Sequence, residues 1–339
     1  MSTNNAAYLT EKGKALEIKP APYPTPKENE VIVQTRAIAI NPVDYALQMM
    51  GDTLFPWLQY PHILGLDVSG EVVKIGSNVA NFKAGDRVVG LASGAFQSYS
   101  AVPAQMASTI PDSVTNEQAA VIPLGLSTAS MGLFGKEYLA LHYPSINPKP
   151  TSKPLLIWGG STSVGSNAIQ VAVSAGYEVI TTASPKNFEY VKKLGASQVF
   201  DYNSPTVRDD ILAALKGKTC AGAMAITSAD LTAAAAAADA CYEIISKAEG
   251  TKFVATAQPP PEVPHPMVAA KFIRPFGDSE EDQELKDAVF GEYLPQALTA
   301  GKFRPAPEPE VVGKGLEALQ EAMNVLKQGV SAKKIVVLL

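Results

Sequence analysis

The chain has few of the residues from which metal sites and stapled scaffolds are built. Its 339 residues contain two cysteines, Cys220 and Cys241, and three histidines, His62, His142 and His265. So few cysteines exclude a disulfide framework or a cysteine-rich metal site. No compact Cys/His spacing occurs, so no metal is predicted. No apolar run approaches a membrane span free of Gly, Pro and charge, and the opening MSTNNAAYLTEKGK lacks the apolar core of a secretory signal. Basic residues number 28 against 33 acidic, a formal charge of −5, with no concentrated basic tract. Neither nucleic acid nor membrane is an expected partner, and a reducing cytoplasm is the expected location.

What the chain does have is hydrophobic pattern. Hydrophobic residues make up 46% of it, enough for one large or two medium domains. Residues 1–125 read as short β-rich runs broken by turns, among them EVIVQTRAIAI (Glu30 to Ile40), DVSGEVVKIG (Asp67 to Gly76) and DRVVGLA (Asp86 to Ala92). Residues 126 to about 152 read as a helix followed by a Pro-rich loop or boundary, and residues 153 to about 290 then alternate strands and helices. The strands expected there are LLIWG, YEVITT, SQVFDY, CAGAMAI and TKFVATA, which together predict a doubly wound parallel sheet. Within that region the alanine tract Ala233 to Ala238 predicts a helix, with Ser228 or Asp230 as its N-cap; low-complexity disorder is the competing reading. Residues 291–339 hold an amphipathic helix near Gly315 to Gly329 and a terminal strand, KKIVVLL.

The most informative stretch is LLIWGGSTSVG, Leu155 to Gly165, followed by the helical pattern SNAIQVAVSAG. Strand, glycine-rich turn and helix in that order suit a dinucleotide pyrophosphate, which needs close backbone approach and a helix N-terminus facing the anion. The candidate cofactor residues here are Gly160, Ser161, Thr162, Ser163, Val164 and Gly165. The segment is not a full GxGxxG, since Thr162 stands at the middle glycine position, and a structural turn is the competing reading. The next strand, VITTAS, ends without the Asp or Glu that grips an NAD ribose. It runs instead into Ser184, Lys186 and Asn187, which suit a 2′-phosphate and predict NADPH. Tyr202, ending the following strand, is a further candidate beside the adenosine. In the first region Asn41, Asp44 and Tyr45 of NPVDYAL put two polar groups and a phenol after an apolar strand. An Asx-capped turn with a packed phenol explains them equally well.

These pieces, with PHILGLDVSGEVVKIG (61–76), FKAGDRVVG (82–90), IPDSVTNEQAAVIPLGLSTA (110–129) and KKLGASQVFDY (192–202), resemble the medium-chain dehydrogenase/reductase superfamily from end to end. The resemblance is strongest to its zinc-independent quinone and enoyl reductases. Zinc-dependent relatives place Cys after the strand ending at Ile40 and His-Glu in a GHE segment. This chain has NPVD and Gly65-Leu66-Asp67 there. SPKN and the segment Tyr138 to Pro154 are similar to fungal enoyl reductases that serve polyketide synthases in trans, and to ToxD-like proteins.

The resemblance implies a GroES-like substrate domain (1–125), a Rossmann NADP(H)-binding domain (126–290) and a C-terminal segment (291–339) that returns to the GroES-like domain. It also implies hydride reduction of an activated carbon–carbon double bond in an enone or enoyl thioester, free or carrier-tethered, by a monomer or homodimer. Asn41, Asp44 and Tyr45 are the catalytic candidates. Ala257, Ser331 and Lys333 resemble regions near the nicotinamide, and Phe134, Tyr138 and Tyr143 are candidates for a substrate entrance. The alternatives are an NADPH:quinone reductase, a zinc-free alcohol or aldehyde oxidoreductase, and a nucleotide-binding structural or regulatory protein.

Overall fold

A computed structural model describes residues 3–227, 231–259 and 265–339. The chain divides into two compact units. One gathers Met1–Leu124, Leu294–Gly301 and Pro305–Leu339, and the other Gly125–Tyr293 and Lys302–Arg304.

The first unit is strand-rich. Its strands begin with β1 (Asn4–Leu9), β2 (Glu17–Ala21), β3 (Glu30–Ala39), β4 (His62–Ile63) and β5 (Asp67–Ile75). They continue with β6 (Arg87–Leu91), β7 (Tyr99–Pro103) and β8 (Ala107–Thr109). Helices α1 (Pro42–Met50) and α2 (Asn116–Ala120) lie in this stretch. β3 is the spine of the unit, because its β-branched run EVIVQTRAIA suits a pleated surface buried on both sides. It pairs antiparallel with β5 and β7, and its register against β5 shifts at Ile32/Val33 and again at Thr35/Ala37. Such irregularities bend and twist a strand.

The second unit opens from α3 (Pro123–Phe134), whose first two residues belong to the first unit. It then alternates β9 (Pro154–Trp158), α4 (Ser163–Ser174), β10 (Glu178–Ala183), α5 (Phe188–Lys193), β11 (Gln198–Asp201) and α6 (Val207–Leu215). β12 (Ala223–Ala225), α7 (Leu231–Lys247), β13 (Phe253–Thr256), β14 (Ala269–Phe272) and α8 (Glu280–Lys286) complete it. Its sheet is parallel throughout, in the order β11-β10-β9-β12-β13-β14. Every residue of β9 (PLLIW) is buried, as a central parallel strand covered on both faces requires. The chain is therefore α/β, with a GroES-like strand-rich unit and a Rossmann-type doubly wound sheet.

The sixth strand, β14, goes beyond the five expected. Its sequence AAKF lies mostly exposed at the sheet edge and lacks the apolar run that marks the inner strands. The alanine tract lies within α7, which buries Ala237, Ala238, Cys241, Ile244 and Ile245 against the sheet. The proposed caps Ser228 and Asp230 lie outside the described residues. Cys220 and Cys241 are both buried and unbridged, and burial pushes both thiols up, so neither is a nucleophile at neutral pH.

The chain then comes back to the first unit through α9 (Leu294–Thr299), β15 (Glu308–Lys314), α10 (Leu319–Lys327) and β16 (Lys333–Leu338). β16 lies parallel to β15 and antiparallel to β3, with Val336 opposite Ala39. Leu319 and Met323 of α10 and Ile335 and Val337 of β16 pack with Ile38, Ile40, Leu47 and Phe96 in one core. No helix of the described residues is long and apolar enough to cross a membrane.

Candidate active site

In the second unit the strand order reverses direction between β9 and β12, and ligands of open parallel sheets bind outside the strand ends at such a point. The glycine-rich turn leaves β9 there. Gly159 has φ +86°, and a Cβ on it would stand 2.0 Å from the carbonyl oxygen of Ile226, just beyond β12. A Cβ on Gly165 would stand 2.2 Å from the carbonyl oxygen of Gly159, so the first turn of α4 lies directly on the loop. Thr162 is the N-cap of α4. Its Oγ1 accepts the Gly165 N–H at 3.0 Å and donates to the Gly159 carbonyl at 2.9 Å.

Two threonines of β10 complete the turn. The Gly159 N–H donates to Thr182 Oγ1 at 3.0 Å, and the Gly160 N–H to the Thr182 carbonyl at 2.9 Å. Thr181 Oγ1 donates to the Ile157 carbonyl at 2.6 Å and stands 2.2 Å from where a Cβ on residue 160 would be. The N–H groups of Gly159, Gly160 and Gly165 are thus already used. Ser163 and Val164, at the first two helical positions of α4, have no carbonyl one turn back to accept their N–H groups. Beside them Ser163 Oγ is buried with no hydrogen-bond partner. A bared, close-packed loop, two helix-start donors and an orphaned hydroxyl fit a pyrophosphate.

At the next strand end Ser184 precedes a short turn over Pro185–Asn187. Asn187 is buried and its Nδ2 donates to Ser184 Oγ at 3.2 Å, while Lys186 is exposed. β10 and β11 pair with Ala183 opposite Asp201, so Ser184 and Tyr202 both follow directly on the paired ends; Tyr202 is 45% exposed. Asp201, the carboxylate directly before Tyr202, is occupied by the backbone and side chain of Asn203 at 3.0 and 3.2 Å. Ser161 is half-buried in the glycine-rich turn. Ala257 follows β13, its N–H held by the Ala225 carbonyl at 3.0 Å. Phe134 and Tyr143 line a cavity of about 300 Å³ in this unit. The Tyr138 hydroxyl instead donates to the Phe272 carbonyl at 3.0 Å.

The first unit holds a second concentration of polar groups. Asn41 precedes α1, Pro42 sits where its missing N–H costs nothing, and Asp44 caps the helix by accepting the Asn41 N–H at 2.7 Å. Asn41 Nδ2 donates to Asp67 Oδ2 at 2.9 Å, and the Leu124 N–H donates to Asp67 Oδ1 at 2.7 Å. Lys334 reaches in from β16, 2.5 Å from Asn41 Oδ1 and 3.1 Å from Asp67 Oδ2. Lys334 is 3% exposed and Asp67 fully buried, an ion pair sealed from water.

Asp44 is also fully buried, and its Oδ1 has no hydrogen-bond partner. Burial, with Asp67 adding repulsion against the pull of Lys334, pushes its carboxyl up to about 7. Tyr45, next on α1, is half-buried, and burial raises its phenol. Lys333 begins β16 and Ser331 lies two residues before it, with the Lys333 ammonium 2.5 Å from Glu308. Strand alternation turns Lys333 and Lys334 to opposite faces. Sequence reasoning singled out Lys333 and missed Lys334, Asp67, Thr181 and Thr182. The alternation of β16 was the one available signal. Among the described residues no group of three or more His, Cys, Asp or Glu side chains could hold a metal ion.

This architecture and these motifs define a medium-chain oxidoreductase. Family profiles match residues 27–112 (alcohol dehydrogenase GroES-like domain) and 163–279 (zinc-binding dehydrogenase). The chain is 54% identical to the dehydrogenase azaJ of Aspergillus niger, covering 100% of both. It is 38% identical to the trans-enoyl reductase himH of Aspergillus japonicus, covering 98% of this chain and 97% of that one. A mycobacterial protein solved in complex with NADPH superposes with a TM-score of 0.71 at 23% identity, covering 100% of both chains. The chain belongs to the medium-chain dehydrogenase/reductase superfamily, in its quinone- and enoyl-reductase branch, and is related to the fungal trans-enoyl reductases.

Proposed function

We propose that this enzyme reduces an activated carbon–carbon double bond, in an enone or enoyl thioester, with NADPH as reductant. It is an NADPH-dependent oxidoreductase of the enoyl/quinone-reductase type, with no His, Cys, Asp or Glu cluster for a metal among the described residues. The observation that carries the reading is the turn after β9, with donors left open at Ser163 and Val164, and the end of β10 at Ser184, which carries no acid of its own. Full-length kinship with a trans-enoyl reductase supports the choice of substrate class.

In this reading Ser161, Ser163 and Val164 take the pyrophosphate, while Gly160 and Gly165 let it approach and Thr162 holds the helix start. Ser184, Lys186, Asn187 and Tyr202 receive the 2′-phosphate and its ribose. Ala257, Ser331 and Lys333 orient the nicotinamide end. When bound, NADPH supplies the hydride that the electron-poor β carbon accepts. Charge then builds on the substrate carbonyl oxygen, and the Tyr45 phenol stabilises it by donating a hydrogen bond. Asn41 and Asp44 act through the start of α1, holding Tyr45 in place, and the α carbon gains its proton from Tyr45 or from water. The substrate is a small molecule or a carrier-tethered acyl chain, and the enzyme works in the cytoplasm as a monomer or homodimer.

The test is NADPH oxidation with matched enones, enoyl thioesters and quinones, alongside NADH, with the products identified. A saturated product from NADPH and an enone or enoyl thioester is expected. Turnover of quinones alone would move the assignment to quinone reduction, and NADH preference would overturn the reading of Ser184 and Lys186.

A further inference from the structure

The glycine-rich segment does not hold its own shape. Of its backbone donors, Gly159 and Gly160 are both fastened to one residue of the neighbouring strand, Thr182, by side chain and by main chain. Thr182 is fully buried between β9 and β11, and no ligand can reach its hydroxyl from solvent. The main-chain bond would survive any substitution at 182, whereas the bond from Gly159 N–H needs an oxygen on the side chain. Without that oxygen, the half-buried Gly159 N–H of this positive-φ turn loses the acceptor that fixes it, and the turn is free to shift toward another.

We infer that Thr182 is a positioning residue for cofactor affinity: its hydroxyl sets the Gly159–Gly160 turn so that the Ser163 and Val164 donors face the pyrophosphate. The inference rests on the proposed use of NADPH. It assigns part of the affinity for the pyrophosphate to a residue outside the glycine-rich motif, one that never touches the cofactor. Thr181 has a complementary part, since its hydroxyl occupies the space a side chain at 160 would need. Position 160 is thereby restricted to glycine by the next strand.

The experiment is equilibrium binding to the whole protein, followed by NADPH fluorescence, with adenosine 2′-monophosphate as the second probe. That mononucleotide carries the 2′-phosphate and adenosine but no pyrophosphate. Thr182→Val keeps the shape and removes the acceptor, and should raise the Kd for NADPH about three- to tenfold, the worth of one neutral hydrogen bond. The Kd for adenosine 2′-monophosphate should stay within twofold, and Thr182→Ser, which restores an oxygen, should bind NADPH as the parent does. If the valine variant does not fold, Thr182→Ala carries the same expectation. Unchanged NADPH binding in the valine or alanine variant would overturn the inference alone, as would equal weakening of both probes, which marks general loosening. A parent protein that fails to bind NADPH would overturn the proposed function and this inference with it.

Discussion

Asp44 should make the first unit less stable as pH rises through neutrality, and Asp44→Asn should remove that dependence. The carboxyl is fully buried, one oxygen accepts the Asn41 N–H at 2.7 Å, and the other has no partner. Lys334 is already bonded to Asp67 and Asn41, so a second negative charge in the cluster goes uncompensated. The group binds its proton more tightly folded, at about 7, than at its ordinary value of 3.8. Below pH 4 both states hold the proton and nothing is lost. Between pH 4 and 7 the unfolded chain releases it first, so stability falls with rising pH, and it levels off above 7. Between pH 5 and 8 the linkage amounts to roughly 2–3 kcal/mol. Asparagine is nearly isosteric, still accepts from Asn41, and offers an amide donor instead of a charge. Urea unfolding at several pH values measures this directly. The parent should lose about that much more stability than the variant across the interval, and parallel pH profiles would refute the assignment of the uncompensated charge to Asp44.

Three further outcomes are expected. Lys334→Met leaves Asp67 buried without its cation and should cost about 3–5 kcal/mol; a loss under 1 kcal/mol in the same unfolding assay would show that the pair is not sealed. Lys186→Ala should raise the KM for NADPH about tenfold, leave the KM for NADH unchanged, and be masked by high salt. Equal effects on the two nucleotides would remove Lys186 from the 2′-phosphate site. Tyr45→Phe should lower kcat on an enone roughly a hundredfold with little change in NADPH affinity, and a kcat within twofold of the parent would leave proton delivery to water.

The parts of this protein legible in its sequence are those whose physics is local. β9 reads as a buried parallel strand because all five of its residues are apolar. The turn after it reads as a tight strand-to-helix turn because Gly159 needs positive φ and Gly165 must lie against the loop backbone, demands only glycine meets. The absence of an acid after VITTAS is equally plain. β14 escaped because an edge strand needs no apolar run, only a neighbour to pair with.

Pairing and face decided the rest. Thr181 and Thr182 look like ordinary β-branched strand residues. Their hydroxyls serve the glycine turn only because β10 lies parallel to β9 with Thr181 beside Ile157. Lys333 and Lys334 are the same residue type at adjacent positions. β16 turns one to Glu308 and water, and the other into a dry cluster with Asn41 and Asp67, nearly the whole chain length away. The sequence by itself determined the order of most elements and the glycine turn, since each depends on residues close together along the chain. Which lysine is buried, which carboxyl lacks a counter-charge and which hydroxyl holds the turn were decided by tertiary structure, because burial and hydrogen-bond partners belong to the packed molecule.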